Sequence, residues 1–203
     1  MVKLAEEESF LDELGLYIIK EACKDAQKLQ KEGTPLSISV NISPKQLESA
    51  VFVREVRRIL QEVDLHDIQL ILEVTERSLL STSGRILERI RELKQLGIQM
   101  SMDDFGMGHS SMMYLQENAF DEVKLDGSLV RQILENERSR DIVRGITRLA
   151  ASMQFHVVAE FVETREQMEL LKALHCDIYQ GYYYGKPCSC DEFIIKYLKQ
   201  EPR

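Results

Sequence analysis

Residues 85–105 read RILERIRELKQLGIQMSMDDF. Ile86, Ile90 and Leu93 recur at helical spacing, and Gly97 stands where a helix C-terminus takes a glycine. A short apolar run, Ile98–Phe105, follows and ends on two consecutive acids, Asp103 and Asp104. This alternation of amphipathic helix and short apolar strand with a polar end recurs along the chain. Further strand-like runs are Leu36–Ser43, Gln69–Glu76, Phe120–Asp126, Phe155–Val162 and Cys176–Tyr184. Helical stripes lie between them. Residues 7–30 carry Leu11, Leu14, Ile18, Ala22, Ala26 and Leu29, and residues 44–62 carry Leu47, Val56, Ile59 and Leu60. Later stripes are Ile142, Ile146, Leu149 and Met153, then Met168, Leu171 and Leu174, then Phe193, Ile194 and Tyr197. Ser43-Pro44-Lys45-Gln46 and Thr164-Arg165-Glu166-Gln167 both have the reciprocal capping form of a helix start. Alternating strands and helices predict one α/β domain over 1–203 with a largely parallel sheet.

Each strand run closes on polar groups. In order they are Asn41, Glu73 with Glu76, Asp103 with Asp104, Lys124 with Asp126, Glu160 with Glu163, and Gln180. Parallel α/β sheets bind ligands at the carboxyl ends of their strands. Six contributing ends favour a barrel over a doubly wound sheet, where only the switch-point loops converge. A complete eight-stranded barrel runs to about 250 residues. The chain opens almost directly into a helix, so N-terminal strands are expected to be missing from it.

Composition excludes several classes. The chain has 203 residues, 44% hydrophobic and 30% charged, which is ordinary globular usage. No apolar run reaches the roughly 20 residues of a membrane helix, and no signal peptide is evident, so a cytoplasmic protein without membrane contact is expected. A net charge of −8 argues against a DNA- or RNA-coating surface. Cys23, Cys176, Cys188 and Cys190 form no CxxC pair and read as free thiols. His66, His109, His156 and His175 share no ligand spacing.

Asn41, Glu73, Asp103, Asp104 and Glu160 are all hard oxygen donors, suited to Mg²⁺ or Mn²⁺ rather than zinc. Adjacent aspartates repel in a buried site unless cations intervene. Two ions roughly 3.5–4 Å apart are the usual device for in-line attack on a phosphodiester. Lys124 would add positive charge at the water or the phosphate. Glu76, Asp126 and Glu163, taken singly, read as helix caps or arginine partners as readily as ligands. Asp104-Phe105-Gly106 matches the kinase metal-binding triplet, but no HRD loop accompanies it. Gly106-Met107-Gly108 lacks the rest of a dinucleotide fingerprint.

The ordered set Asn41-Ile42-Ser43, Glu73-Val74-Thr75-Glu76, Asp103-Asp104-Phe105-Gly106, Lys124-Leu125-Asp126, Ala159-Glu160-Phe161-Val162-Glu163-Thr164 and Gln180-Gly181 resembles the EAL-domain family of bacterial cyclic di-GMP phosphodiesterases. The resemblance runs from about Leu4 to Pro187. It implies a modified (β/α)8 TIM-like barrel that cleaves cyclic di-GMP to linear pGpG with two Mg²⁺ or Mn²⁺ ions, Ca²⁺ being inhibitory. By motif, Asn41, Glu73 and Asp103 match ligands of the first ion, and Asp103, Asp104 and Glu160 those of the second. Lys124 matches the lysine on the nucleophilic water. Gln180 matches the glutamine that positions water or substrate, and substrate contacts extend to Gln180 and Pro187. Glu76 matches the glutamate that anchors the loop after Asp104. The family also implies a bacterial, cytoplasmic homodimer whose parent carries sensor or synthase domains.

There are departures from the pattern. No Glu-Ala-Leu motif lies upstream of Asn41, and Ala5-Glu6 resembles the segment just after it. Met107, His109 and Phe161 stand where the family usually has Thr, Tyr and Gly. Without that glutamate this chain is expected to have little or no activity of its own, while its parent is active. The other readings are a catalytically silent cyclic di-GMP receptor and an interaction module. Retention of Asp103, Asp104, Lys124 and Glu160 together favours the enzyme.

Overall fold

The computed structural model describes residues 11–30, 35–63, 65, 68–79, 85–106 and 112–199. In chain order the elements are α1 (Leu11–Gln30), β1 (Leu36–Asn41), α2 (Pro44–Glu48), α3 (Ala50–Glu62), β2 (Ile68–Thr75), α4 (Glu76–Leu79) and α5 (Arg85–Lys94). Then come β3 (Gln99–Phe105), α6 (Met112–Gln116), β4 (Glu122–Leu125), α7 (Gly127–Arg131), α8 (Glu137–Met153) and β5 (His156–Ala159). The chain continues through α9 (Arg165–Ala173), β6 (Ile178–Tyr179), α10 (Cys190–Phe193) and a π-helical turn at Ile194–Leu198. All six expected strands form. Ala5-Glu6, the first residues of the 7–30 stripe, His66, and Met107 to Ser111 lie outside the described residues.

The chain divides into two compact units, one from the described parts of 1–73, 82–99 and 187–203, the other from 74–81 and 100–186. In the first unit β1 and β2 pair in parallel, from Leu36 opposite Ile68 to Asn41 opposite Glu73. β2 is buried on both faces for most of its length, as a strand in a parallel α/β sheet should be. The stripe Ile86, Ile90 and Leu93 on α5 is fully buried, each side chain contributing roughly 1.5–3 kcal/mol. Gly97 closes that segment with φ +83°, the left-handed conformation expected of it. The Ser43 capping box forms in full, with Gln46 N–H donating to Ser43 Oγ and Ser43 N–H donating to Gln46 Oε1 at 2.8 Å.

Two readings shift here. The expected 44–62 helix is broken at Ser49, whose hydroxyl accepts from Phe52 N–H and starts α3. On α1 the buried positions are Gly15, Ile19, Cys23 and Ala26, one residue round from the expected stripe, and Ile18 is 41% exposed. The reason is Gly15. A Cβ there would sit 1.8 Å from Gln46 Nε2, so the glycine admits the side chain that caps α2 and turns α1 toward it.

In the second unit β3, β4, β5 and β6 are parallel neighbours in that order. Asp121 and Asp177 pin strand starts through their carboxylates, accepting from Met100 N–H and Val157 N–H at 2.8 Å each. The Thr164 box forms as expected. α8 buries Val143, Ile146 and Ala150, while Ile142 is exposed. The run Cys176–Tyr184 holds a strand of only two residues, and Tyr182, Tyr183 and Tyr184 are exposed on the turn beyond it.

That turn depends on Gly181. A Cβ on it would lie 2.2 Å from Val162 O and 2.4 Å from Val162 N, and backbone cannot yield as a side chain can. Val162 N–H donates to Gln180 O at 3.0 Å, so the clash falls on the segment carrying Glu160 and Gln180. Gly181→Ala is expected to cost about 3 kcal/mol. The check is urea unfolding followed by circular dichroism, and a midpoint equal to wild type would refute the tight approach.

Candidate active site

The candidate residues stand at strand carboxyl ends within each unit. In the first, Asn41 is the last residue of β1 and lies opposite Glu73 of β2. Paired positions on parallel strands present their side chains to the same face. Glu73 is buried and Asn41 exposed. Ile42 N–H donates to Glu73 O at 2.8 Å, so the chain leaves β1 still tied to its neighbour. Pro187 is exposed and belongs to this unit.

In the second unit the two aspartates occupy a β-bulge. Met102 pairs with Val123 and Phe105 with Leu125, so three steps on β3 match two on β4. A regular strand would send consecutive side chains to opposite faces. The extra residue breaks that alternation, as bulges do beside active sites. Asp104 takes φ +56°, a left-handed conformation that Asp tolerates better than most residues. Asp103 Oδ1 accepts from Asp104 N–H at 2.9 Å and braces the bend. Burial pushes the Asp104 carboxyl above its usual range. Asp103 and Asp126 push it further, and Lys124 pulls it back. The four charges are therefore electrostatic neighbours.

Lys124 of β4 is buried, and its Nζ lies 2.7 Å from Glu160 Oε1, with the two side chains 6% and 14% exposed. Glu160 directly follows β5. The adjacent Phe161 has φ +55°, which explains why glycine suits that position, and Gln180 directly follows β6 on the exposed surface. Glu160, Phe161, Glu163, Gln180, Gly181, Tyr182 and Arg131 line one cavity of about 340 Å³. The larger cavity of the first unit, about 670 Å³, sits at the opposite, amino ends of β1 and β2 and holds none of the candidate residues.

Glu76 is buried at the start of α4 and accepts a hydrogen bond from Gly106 N–H at 3.2 Å, two residues beyond Asp104. The contact falls on the loop that the family resemblance assigns to this glutamate. Asp126 instead caps α7, accepting from Ser128 N–H at 2.8 Å, the bland alternative for that acid. Glu76→Ala is expected to leave the Asp103-Asp104 bulge unbraced at one end and to weaken Mn²⁺ and nucleotide binding together, by about tenfold each. Titration calorimetry of both ligands checks this. Unchanged Mn²⁺ affinity would count against it.

Sequence reasoning did not find Arg131, whose guanidinium lies 4.1 Å from the Phe161 ring centroid. The signal available was weak, an arginine seven residues after Lys124 on what reads as the next helix. Among the described residues no group of three Asp, Glu, His or Cys side chains stands ready to hold a metal ion. The donor chemistry still fits a hard divalent cation. The donors are all oxygen, and Asp103 and Asp126 add to the rise that burial gives the Asp104 carboxyl, a repulsion that a cation would relieve.

The chain belongs to the EAL domain family, whose model matches residues 1–187. A signalling protein of Caulobacter vibrioides is 40% identical over 96% of this chain and 24% of its own length. Cyclic di-GMP phosphodiesterase NbdA of Pseudomonas aeruginosa is 34% identical over 97% of this chain and 26% of its own. Among solved structures, the PaMucR phosphodiesterase in complex with c-di-GMP superposes with a TM-score of 0.84 at 31% identity, covering 95% of this chain and 78% of that one. The Klebsiella pneumoniae BlrP1 manganese/cy-diGMP complex gives 0.75 at 25% identity, covering 89% of this chain and 45% of that one. The α/β fold of parallel strands is thus the TIM-barrel-like fold of EAL domains, and relatives of this chain bind metal and cyclic di-GMP. The chain spans about a quarter of the length of the curated relatives it matches first. Among the described residues no helix is long and apolar enough to cross a membrane.

Proposed function

We propose that the chain belongs to a cyclic di-GMP phosphodiesterase domain whose parent protein hydrolyses one phosphodiester of cyclic di-GMP to give linear pGpG, the chain by itself having little or no activity. The observation that carries this reading is the gathering of Asp103, Asp104, Lys124 and Glu160 at the carboxyl ends of three neighbouring parallel strands, with a bulge placing both aspartates. Asn41, Glu73, Asp103, Asp104 and Glu160 would hold two Mg²⁺ or Mn²⁺ ions, with Ca²⁺ as an inhibitor. When bound, such ions supply Lewis-acid activation of water and neutralise phosphate charge. Lys124 contributes a buried positive charge at the reacting phosphate, where low dielectric strengthens it. Gln180 orients water or substrate by hydrogen bonding, Pro187 contacts substrate, and Glu76 acts through Gly106 as a positioning residue. Residues 1–203 belong to a single EAL-type domain of a cytoplasmic homodimer, attached to sensor or synthase domains and touching neither nucleic acid polymers nor membrane.

The test is chromatography of cyclic di-GMP incubated with the parent protein and Mg²⁺ or Mn²⁺, beside titration calorimetry of nucleotide binding. Appearance of pGpG supports the reading, and loss of nucleotide binding altogether overturns it. A silent receptor is the second reading, favoured by the direct Lys124–Glu160 pairing. It predicts binding without pGpG under the same conditions.

A further inference from the structure

Phe161 is placed at a cost. A phenylalanine at φ +55° occupies backbone space that side chains with a Cβ avoid. Its ring is nevertheless well seated. A Cβ on Gly127 would meet ring atoms at 2.4 Å and 2.6 Å, so the ring lies directly on the backbone of α7. One turn on, the Arg131 guanidinium stacks over it. The side chain still keeps 42% of its surface exposed. Helix α7 therefore holds an aromatic ring under a guanidinium plane, bordering the cavity that also contains Glu160, Glu163 and Gln180. That cavity, about 340 Å³, falls in the range of small-ligand pockets, roughly 300–1,000 Å³.

The geometry points to Phe161 and Arg131 as a stacking wall for one guanine base of the nucleotide, specific to this chain. The inference rests on the cyclic di-GMP reading above. Every purine has a π-face that an aromatic ring or the guanidinium plane stacked on that ring can cover, the guanidinium adding cation–π attraction. Selection among purines falls to polar groups. A guanine edge carries two adjacent N–H donors, which one carboxylate accepts together, while adenine offers no such pair. Glu163 supplies an exposed carboxylate to the same cavity, and its backbone N–H is already engaged by Gln167 Oε1 at 2.8 Å, which fixes the segment. Phe161 and Arg131 thus give affinity, and Glu163 gives preference for guanine over adenine.

Binding of cyclic di-GMP and cyclic di-AMP is measured by titration calorimetry with Ca²⁺ as the divalent cation, and nucleotide integrity is checked afterwards by chromatography. Phe161→Leu and Arg131→Ala are each expected to weaken cyclic di-GMP binding about 5- to 100-fold. Phe161→Tyr should bind within about threefold of wild type, since the ring is kept. Glu163→Gln should narrow the preference for cyclic di-GMP over cyclic di-AMP by about tenfold or more. Thermal melting of each variant guards against a purely structural loss. Wild-type-like affinity in folded Phe161→Leu and Arg131→Ala overturns the stacking wall. Absence of cyclic di-GMP binding by the wild-type protein overturns the functional reading instead.

Discussion

In the parent enzyme, Asp103→Ala is expected to abolish turnover of cyclic di-GMP, by on the order of 10³-fold or more, while leaving the fold intact. Asp103 sits in the β3 bulge, where its carboxylate does two opposed things. It braces the Asp104 amide, and it raises the Asp104 carboxyl by like-charge repulsion. The folded-state pKa of Asp104 lies above its ordinary 3.8. Its stabilising contribution is therefore fully present below the unfolded value and lost as pH rises through the folded one. Removing Asp103 forfeits one hydrogen bond but relieves that repulsion, so stability at neutral pH should stay within about 1 kcal/mol of wild type. In the metal-free protein Asp104 should titrate at lower pH than before, a shift that carbon NMR reads directly. Full turnover at saturating Mn²⁺ would refute the assigned role. Loss of turnover accompanied by global unfolding would make Asp103 structural.

Lys124→Met is expected to cost roughly 3–5 kcal/mol in the absence of divalent metal. The lysine is buried against Glu160, and taking it away leaves a carboxylate with little access to water and without that ammonium. Methionine keeps the volume, so the loss is electrostatic rather than a cavity. Mn²⁺ should recover a good part of the stability, because a cation supplies the countercharge that the ammonium gave. The Asp104 carboxyl should move further up, since Lys124 is the group that lowers it. In the parent enzyme turnover should fall much more than nucleotide affinity, because the charge acts at the reacting centre. Denaturant midpoints with EDTA and with Mn²⁺, beside kcat and KM, check this. A midpoint unaffected by metal, with kcat unchanged, would defeat it.

Much of this protein was legible in its residues because the relevant forces are local. Ile86, Ile90 and Leu93 at helical spacing, Gly97 after them, and the Ser43 and Thr164 boxes fix where elements begin and end through contacts only three or four residues apart. Each of the six apolar runs became a strand, and their polar ends stand where a parallel sheet presents ligands. The contact of Gly106 N–H with Glu76 agrees with what the family resemblance implied, a role that residue spacing alone did not give. What the order of residues could not decide lies in contacts between distant segments. Which stripe of α1 is buried depends on Gln46, a side chain 31 positions after Gly15. Whether Asp103 and Asp104 share an end depends on a bulge set by the register against β4. The aromatic run after Cys176 reads as a strand by composition, yet Gly181 lies against Val162 and bends it into a turn. Arg131 and Phe161 meet across 30 residues, and Lys124 meets Glu160 across 36, because parallel neighbours bring remote strand ends together. Periodicity records which side chains are apolar and how they repeat; only packing decides what each one faces.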